Sequence, residues 1–82
     1  MTDWLDAIQA RVEASTPGPW HSWIEGRDQT SGDTFIQTGG EDIYLTGATD
    51  EDNDFIAHAR QDIPRLIDEV RRLQQLLGPS TP

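Results

Sequence analysis

Two histidines, an arginine and a few aromatic side chains are the residues of this sequence best suited to chemistry. His21 and His58 could each act as a general base, but neither has a partner residue at a recognisable motif spacing. The chain has no cysteine, which excludes disulfides and thiolate chemistry, and it has no glycine-rich phosphate loop. We therefore expect a non-enzymatic protein without a cofactor. A small hydrolase using His58 is the remaining enzymatic alternative.

Metal binding has little support in the sequence. Three aspartates alternate over residues 50–54, as in a calcium loop, but Phe55 stands where such a loop needs glycine and Gln61 where it needs glutamate. The two histidines could form a site with a carboxylate, although their spacing matches no motif. We expect no metal site.

Binding of a ligand has better support. Arginine captures phosphate or carboxylate in a bidentate manner, and the exposed faces of tryptophan and tyrosine can stack on a base or a sugar. The predicted ligand-binding residues, for a nucleotide-like small molecule, are Trp20, Trp23, Tyr44, His58 and Arg60.

The charge of the chain restricts its partners. The formal net charge is −9 and all six basic residues are arginines, so binding to DNA, RNA or an anionic membrane is disfavoured. The acidic residues concentrate between Asp28 and Asp54, whereas four arginines lie between Arg60 and Arg72. The N-terminus has no signal peptide pattern and no stretch is long and apolar enough to span a bilayer. We expect a cytoplasmic protein.

The first half of the chain predicts one helix and three strands. Residues 2–14 have an amphipathic helical pattern with Thr2 as N-cap, and Pro17-Gly18 predicts a type II turn with Trp20 packed on that helix. Residues 20–24 alternate as a short strand. The segment 34–46 predicts a hairpin in which Gly39-Gly40 forms a two-residue type I′ turn and Ile36 faces Ile43.

The C-terminal third predicts two helices. Thr49 or Asp50 is a suitable N-cap, and apolar residues then recur at helical spacing to Leu77. Pro64 interrupts this pattern, since an interior proline removes a helical hydrogen bond and clashes with the preceding turn. We therefore predict helices over about 50–60 and 63–77, with a corner at residues 61–62.

These elements predict a single α+β domain over residues 1–78, followed by a disordered tail over 79–82. It has an N-terminal helix, a small antiparallel three-stranded sheet and two C-terminal helices broken near Pro64. The last helix has apolar residues at alternating spacings of three and four, a pattern typical of helices that pair with another helix. We predict a homodimer through an interface formed by Ile63, Leu66, Val70, Leu73 and Leu77.

Two segments also carry a family resemblance. The TPGPW segment at residues 16–20, followed by DFIAHAR at 54–60 and DIP at 62–64, resembles the Ead-like family of small phage and prophage proteins. The resemblance implies a viral accessory protein, acting in the host cytoplasm, that is dispensable for building the virion. It implies no reaction, and it implies structural roles for the matching residues Trp20, Phe55, Arg60 and Pro64.

Three functional hypotheses follow. The first is a binding protein with a counter-defence role, which blocks a host protein or sequesters a nucleotide-like signal. The second is a structural module that joins copies of itself without a small-molecule ligand. The third is the hydrolase using His58.

Overall fold

Two helices and two short strands make up the fold. The computed structural model describes residues 3–28 and 32–78, and it has the order α1 (Asp3–Ala14), β1 (His21–Trp23), β2 (Phe35–Gln37) and α2 (Asp50–Leu76). The predicted N-cap Thr2 and the predicted tail at 79–82 lie outside the described residues. α1 and the two strands lie within segments that the sequence pattern indicated, whereas the C-terminal region differs from its prediction.

The sheet has two antiparallel strands, so the predicted three-stranded sheet is wrong. In the register of β1 and β2, Ser22 faces Ile36. Ile43 does pair with Ile36, with backbone N···O distances of 2.9 and 2.8 Å, but this is an isolated bridge. Thr49 already caps α2 six residues later, so the chain leaves the sheet before a third strand can extend.

The predicted type I′ turn at Gly39-Gly40 is also wrong, because neither glycine adopts a positive φ. The Thr38 hydroxyl forms the turn instead. It donates to the carbonyl of Glu41 at 2.8 Å and accepts from the amide of Gly40 at 2.8 Å. The amide of Gly39 donates to the carbonyl of Pro17, also at 2.8 Å. Glycine is needed at position 39 because the two backbones approach closely there.

Substitution of Gly39 tests this contact. A Cβ atom at position 39 would lie 2.7 Å from the carbonyl oxygen of Pro17, whereas the nearest atom to one at position 40 would be the Thr16 methyl carbon, at 3.1 Å. We expect Gly39→Ala to lower the free energy of unfolding by about 1–3 kcal/mol, measured by urea titration. Gly40→Ala is the matched control and is expected to cost clearly less; equal losses would contradict the close-approach explanation.

The corner at residues 15–20 differs in detail from the prediction. Gly18 has no positive φ, so the type II turn is not formed, and the Gly18–Pro19 peptide is cis. Trp20 does pack near α1, lining a groove with Ile8 and Val12. Its indole N–H donates to the carbonyl of Thr16 at 3.0 Å, which closes the corner.

The C-terminal region is one continuous helix, so the predicted break at Pro64 is wrong. α2 passes through the proline without interruption. An interior proline costs about 3 kcal/mol, but Pro64 lines a pocket together with Gln9 and Val12 of α1 and with the buried Ile67. Packing of α1 across the proline holds both halves in one helix.

The beginning of α2 is strongly specified. Thr49 is the N-cap, and it exchanges hydrogen bonds with Asp52 in a capping box: the Asp52 amide donates to the Thr49 hydroxyl, and the Thr49 amide donates to the Asp52 carboxylate. Acidic residues over 50–52 also complement the helix dipole.

The apolar core is small. Among the described residues, five apolar side chains are buried, whereas nine large ones are exposed. The molecule is elongated, with extents of 59 × 21 × 21 Å, because α2 continues beyond α1 and the sheet. The buried apolar residues are Leu5, Ile24, Ile36, Ala57 and Ile67.

Candidate functional site

The predicted ligand-binding residues separate into different parts of the molecule. Trp20 and Arg60 come together, because the indole N–H of Trp20 and the Nε of Arg60 both donate to the carbonyl of Thr16, at 3.0 and 3.2 Å. The amide of Gln61, next to Arg60, holds the backbone of Trp20, with its Nε2 donating to the Trp20 carbonyl at 3.1 Å. The two segments of the family resemblance are thus joined to each other by direct contacts.

Trp23 and Tyr44 lie elsewhere, on the sheet face that points away from α2. Trp23 packs on His21, with ring centroids 4.3 Å apart, and Tyr44 stacks on Phe35 at 5.6 Å. The indole N–H of Trp23 donates to Gln37. Position 44 is mostly exposed. These residues therefore form an aromatic surface that is distinct from the Trp20 and Arg60 region.

His58 is exposed on α2, and its Nδ1 lies 2.8 Å from the carbonyl of Asp54 in the preceding turn. His21 lies on β1, within the aromatic surface. Over residues 3–28 and 32–78, no group of three or more histidine or acidic side chains comes together as a metal site.

An open groove lies between α1 and α2, with a volume of about 310 Å³. Its lining is mostly apolar and also includes Arg11 and Arg60. Neither guanidinium forms an ion pair within the described part of the chain, although Arg27, Arg71 and Arg72 all do. Two uncompensated positive charges beside an apolar groove are the main electrostatic feature of this side. The apolar lining consists of Ile8, Val12, Trp20, Ile56, Ala59 and Ile63.

The groove continues into an apolar stripe along α2, which we call the seam. The leucines in its C-terminal half are the most exposed, with Leu66 at 61%, Leu73 at 46% and Leu77 at 87%. On the adjacent face, α1 covers Ile67, and Arg71 bonds to Asp6 and Gln9 of α1. The first three seam residues therefore lie in the groove beside α1, whereas Leu66, Leu73 and Leu77 are not part of the groove lining and are exposed. The residues of the seam are Ile56, Ala59, Ile63, Leu66, Val70, Leu73 and Leu77.

A polar network that sequence reasoning missed attaches the sheet to α2. Asn53 is only 1% exposed, and its Nδ2 donates to Ser22 Oγ at 2.8 Å and to the Phe35 carbonyl at 3.3 Å. Ser22 donates in turn to Asp54 at 2.7 Å, and Arg27 binds both oxygens of that carboxylate at 2.9 and 3.1 Å. The placement of Asn53 four residues before Ala57, on the inward face, was the signal in the sequence.

This network makes stability depend on pH. The hydrogen bonds from Arg27 and then Ser22 lower the pKa of Asp54 from 3.8 to about 2. A lowered folded-state pKa contributes stability that is present above pH 3.8 and is lost as the pH falls toward 2. We expect Asp54→Asn to make the free energy of unfolding depend less on pH between pH 4 and 2, as measured by urea titration across that range. Asp42→Asn removes an exposed carboxylate that has no ion pair in the described chain, and it should leave this pH dependence unchanged. If both variants behave alike, Asp54 is not the source of the pH dependence.

The fold and surface define a small α+β protein with an uncovered apolar helix face. Comparison of the chain with family models, with curated proteins and with solved structures finds no match. No helix over the described residues combines the length and apolar character needed to cross a membrane.

Proposed function

We propose that this chain is a non-enzymatic binding protein that acts as a homodimer joined through α2. The observation that carries the proposal is the seam, where apolar residues at alternating spacings of three and four are exposed or half-buried in the single chain. A stripe of this kind on a small domain is normally covered by a second helix. The small core supports the same conclusion, because dimerisation adds the buried apolar area that a chain of this length lacks.

The dimer we propose works in the host cytoplasm as a viral accessory protein that occupies a target, in line with the resemblance to the Ead-like family. A counter-defence role of this kind requires the protein to bind its target and does not require it to catalyse a reaction. The aromatic surface of His21, Trp23, Phe35 and Tyr44 lies away from the seam, so it stays open in the dimer. It is the surface that we assign to a host protein.

Measurement of the molar mass of the full chain tests the proposal. We expect about twice the mass of one 9.2 kDa chain by light scattering or sedimentation equilibrium at micromolar concentration. A mass of one chain across the accessible concentrations would overturn the proposal.

A second candidate function is sequestration of a nucleotide-like ligand in the groove. The observation that favours it is the pair of uncompensated arginines, Arg11 and Arg60, beside an apolar floor that includes Trp20. We would then expect a thermal shift with one member of a panel of nucleoside phosphates, lost in Arg11→Ala. Because the groove shares Ile56, Ala59 and Ile63 with the seam, such a ligand should also dissociate the dimer. The absence of a shift across the panel would exclude this function.

A further inference from the structure

The outward face of the sheet carries a row of aromatic rings. Side chains alternate between the two faces of a strand, and Ile36 points inward, where it is fully buried. Its neighbour Phe35 therefore points outward, and the register places Trp23 beside it. The bridge from Ile36 to Ile43 sets the position of Tyr44. The ring of Tyr44 lies on the other side of Phe35 and stacks on it, with ring centroids 5.6 Å apart. The three rings form one row across three adjacent segments of the chain.

Acidic side chains accompany this row, and no arginine does. Asp42 lies two residues before Tyr44 and so shares its face, and Glu25 follows two residues after Trp23 at the other end. Both are exposed, and neither carboxylate forms an ion pair within the part of the chain that the structure describes. Arg27 is already held by two other carboxylates, and the remaining five arginines belong to α1 and α2. The negative charge beside the rings is therefore left for a partner to compensate.

From this we infer that the aromatic surface binds a basic segment of its partner, with an arginine or lysine side chain lying on the exposed rings and paired with Asp42. The inference rests on the assignment of this surface to a host protein under the proposed function, and it names the chemistry of that partner. The face of an aromatic ring is negative and attracts a cation within about 6 Å of its centroid. Arginine suits both contacts, because its planar guanidinium stacks on rings and binds carboxylates.

The length of the row favours a chain segment over a small cation. Neighbouring strands are about 4.8 Å apart, so the row from Trp23 to Tyr44 spans roughly 10 Å. A small cation covers one ring, whereas an extended segment can place side chains on both ends of the row. Tyr44 is 60% exposed, and Trp23 and Phe35 are half-buried. Tyr44 is therefore the ring on which we expect the cation to depend most.

An uncharged or acidic partner is disfavoured by the same side chains. A partner that covered the rings without supplying positive charge would remove Asp42 from water and leave it unpaired, which costs free energy. An acidic partner would be repelled by this carboxylate. Only a basic partner satisfies the rings and the carboxylate together.

A short basic peptide tests the inference. The probe is a fluorescently labelled peptide with two arginines separated by glycines, and its counterpart has citrulline at both positions, which keeps the shape of the side chain and removes its charge. We expect saturable binding of the arginine peptide to the full chain, measured by fluorescence anisotropy, and clearly weaker binding of the citrulline peptide. Added salt should weaken the binding of the arginine peptide. Equal binding of the two peptides would overturn the inference.

Variants at the row locate the bound cation. Tyr44→Phe keeps the ring and should bind the arginine peptide as the wild type does, whereas Tyr44→Leu keeps an apolar side chain without the ring and should bind about two- to fivefold more weakly. Asp42→Asn should weaken binding by a similar factor. Asp68→Asn is its matched control, because it removes the same charge at an exposed position of α2 beside α1, and it should have little effect. Equal losses in the two asparagine variants, or equal binding of the two Tyr44 variants, would overturn the assignment.

The outcomes separate the partner from the dimer. The molar mass reports on the dimer, whereas the peptide reports on the aromatic surface. A monomeric chain that binds the peptide through Tyr44 would overturn the dimer and leave this inference intact. A dimeric chain that binds neither peptide would overturn the inference alone. Displacement of the peptide by an equal concentration of tetramethylammonium would also overturn it, in favour of a small cation.

Discussion

Replacement of Leu66 and Leu73 by aspartate is expected to convert the proposed dimer into a monomer that remains folded. Each leucine contributes about 1.5–3 kcal/mol when its side chain is buried, and the two substitutions remove four leucines from a symmetric interface. A loss of about 6 kcal/mol corresponds to a more than 10⁴-fold weaker Kd. The molar mass by light scattering measures this directly, and circular dichroism should show that the helices persist.

The control for this result lies on the outward face of the same helix. Gln75 is exposed and outside the seam, so Gln75→Asp adds an aspartate to α2 without replacing a seam residue and should leave the mass dimeric. If the leucine variants stayed dimeric, the chains would have to associate elsewhere, and the aromatic surface of the sheet would be the next region to test.

Replacement of Asn53 by aspartate is expected to have the largest effect on folding. The substitution hardly changes the shape of the side chain, but it places a charge at a site that is 1% exposed and removes the donor that serves Ser22 and the Phe35 carbonyl. A buried charge without a partner costs about 3–5 kcal/mol. A domain of this length has a total stability of roughly 4–12 kcal/mol, so much of it would be lost.

The pH dependence of the free energy of unfolding of Asn53→Asp provides a second test. Burial next to Asp54 should raise the pKa of the new carboxyl, so the penalty should be largest near neutral pH and should shrink as the pH falls toward the unfolded-state value near 4. Gln75→Glu makes the same amide-to-acid change at an exposed position of α2, and it should alter the free energy of unfolding by less than about 0.5 kcal/mol. A similarly small effect of Asn53→Asp would contradict the role of the buried network.

Short-range patterns in the sequence located some of the elements of the fold. The amphipathic spacing located α1, the alternation of residues 20–24 contained β1, and the cap at Thr49 marked the start of α2. The pairing of Ile36 with Ile43 was also predictable from the spacing around Gly39-Gly40. Each of these features depends on residues that are close together in the chain.

Local rules failed where distant parts of the chain compete with them. Pro64 predicts a break, but packing of α1 on both sides of the proline keeps α2 continuous. Gly39 and Gly40 predict a type I′ turn, but the carbonyl of Pro17 takes the Gly39 amide and the Thr38 hydroxyl forms the turn. The third strand ends after one pair of hydrogen bonds, because the chain must turn to reach the cap of α2.

The sequence by itself determined the periodicity of the seam, because that periodicity follows from the helical repeat of one segment. Only the tertiary structure decided which face of α2 is left uncovered, since that depends on where α1 packs. It also separated Trp20 and Arg60 from Trp23 and Tyr44, and it brought Asn53, Ser22 and Arg27 together across more than twenty residues of chain. Contacts of that range arise from packing, which no local pattern encodes.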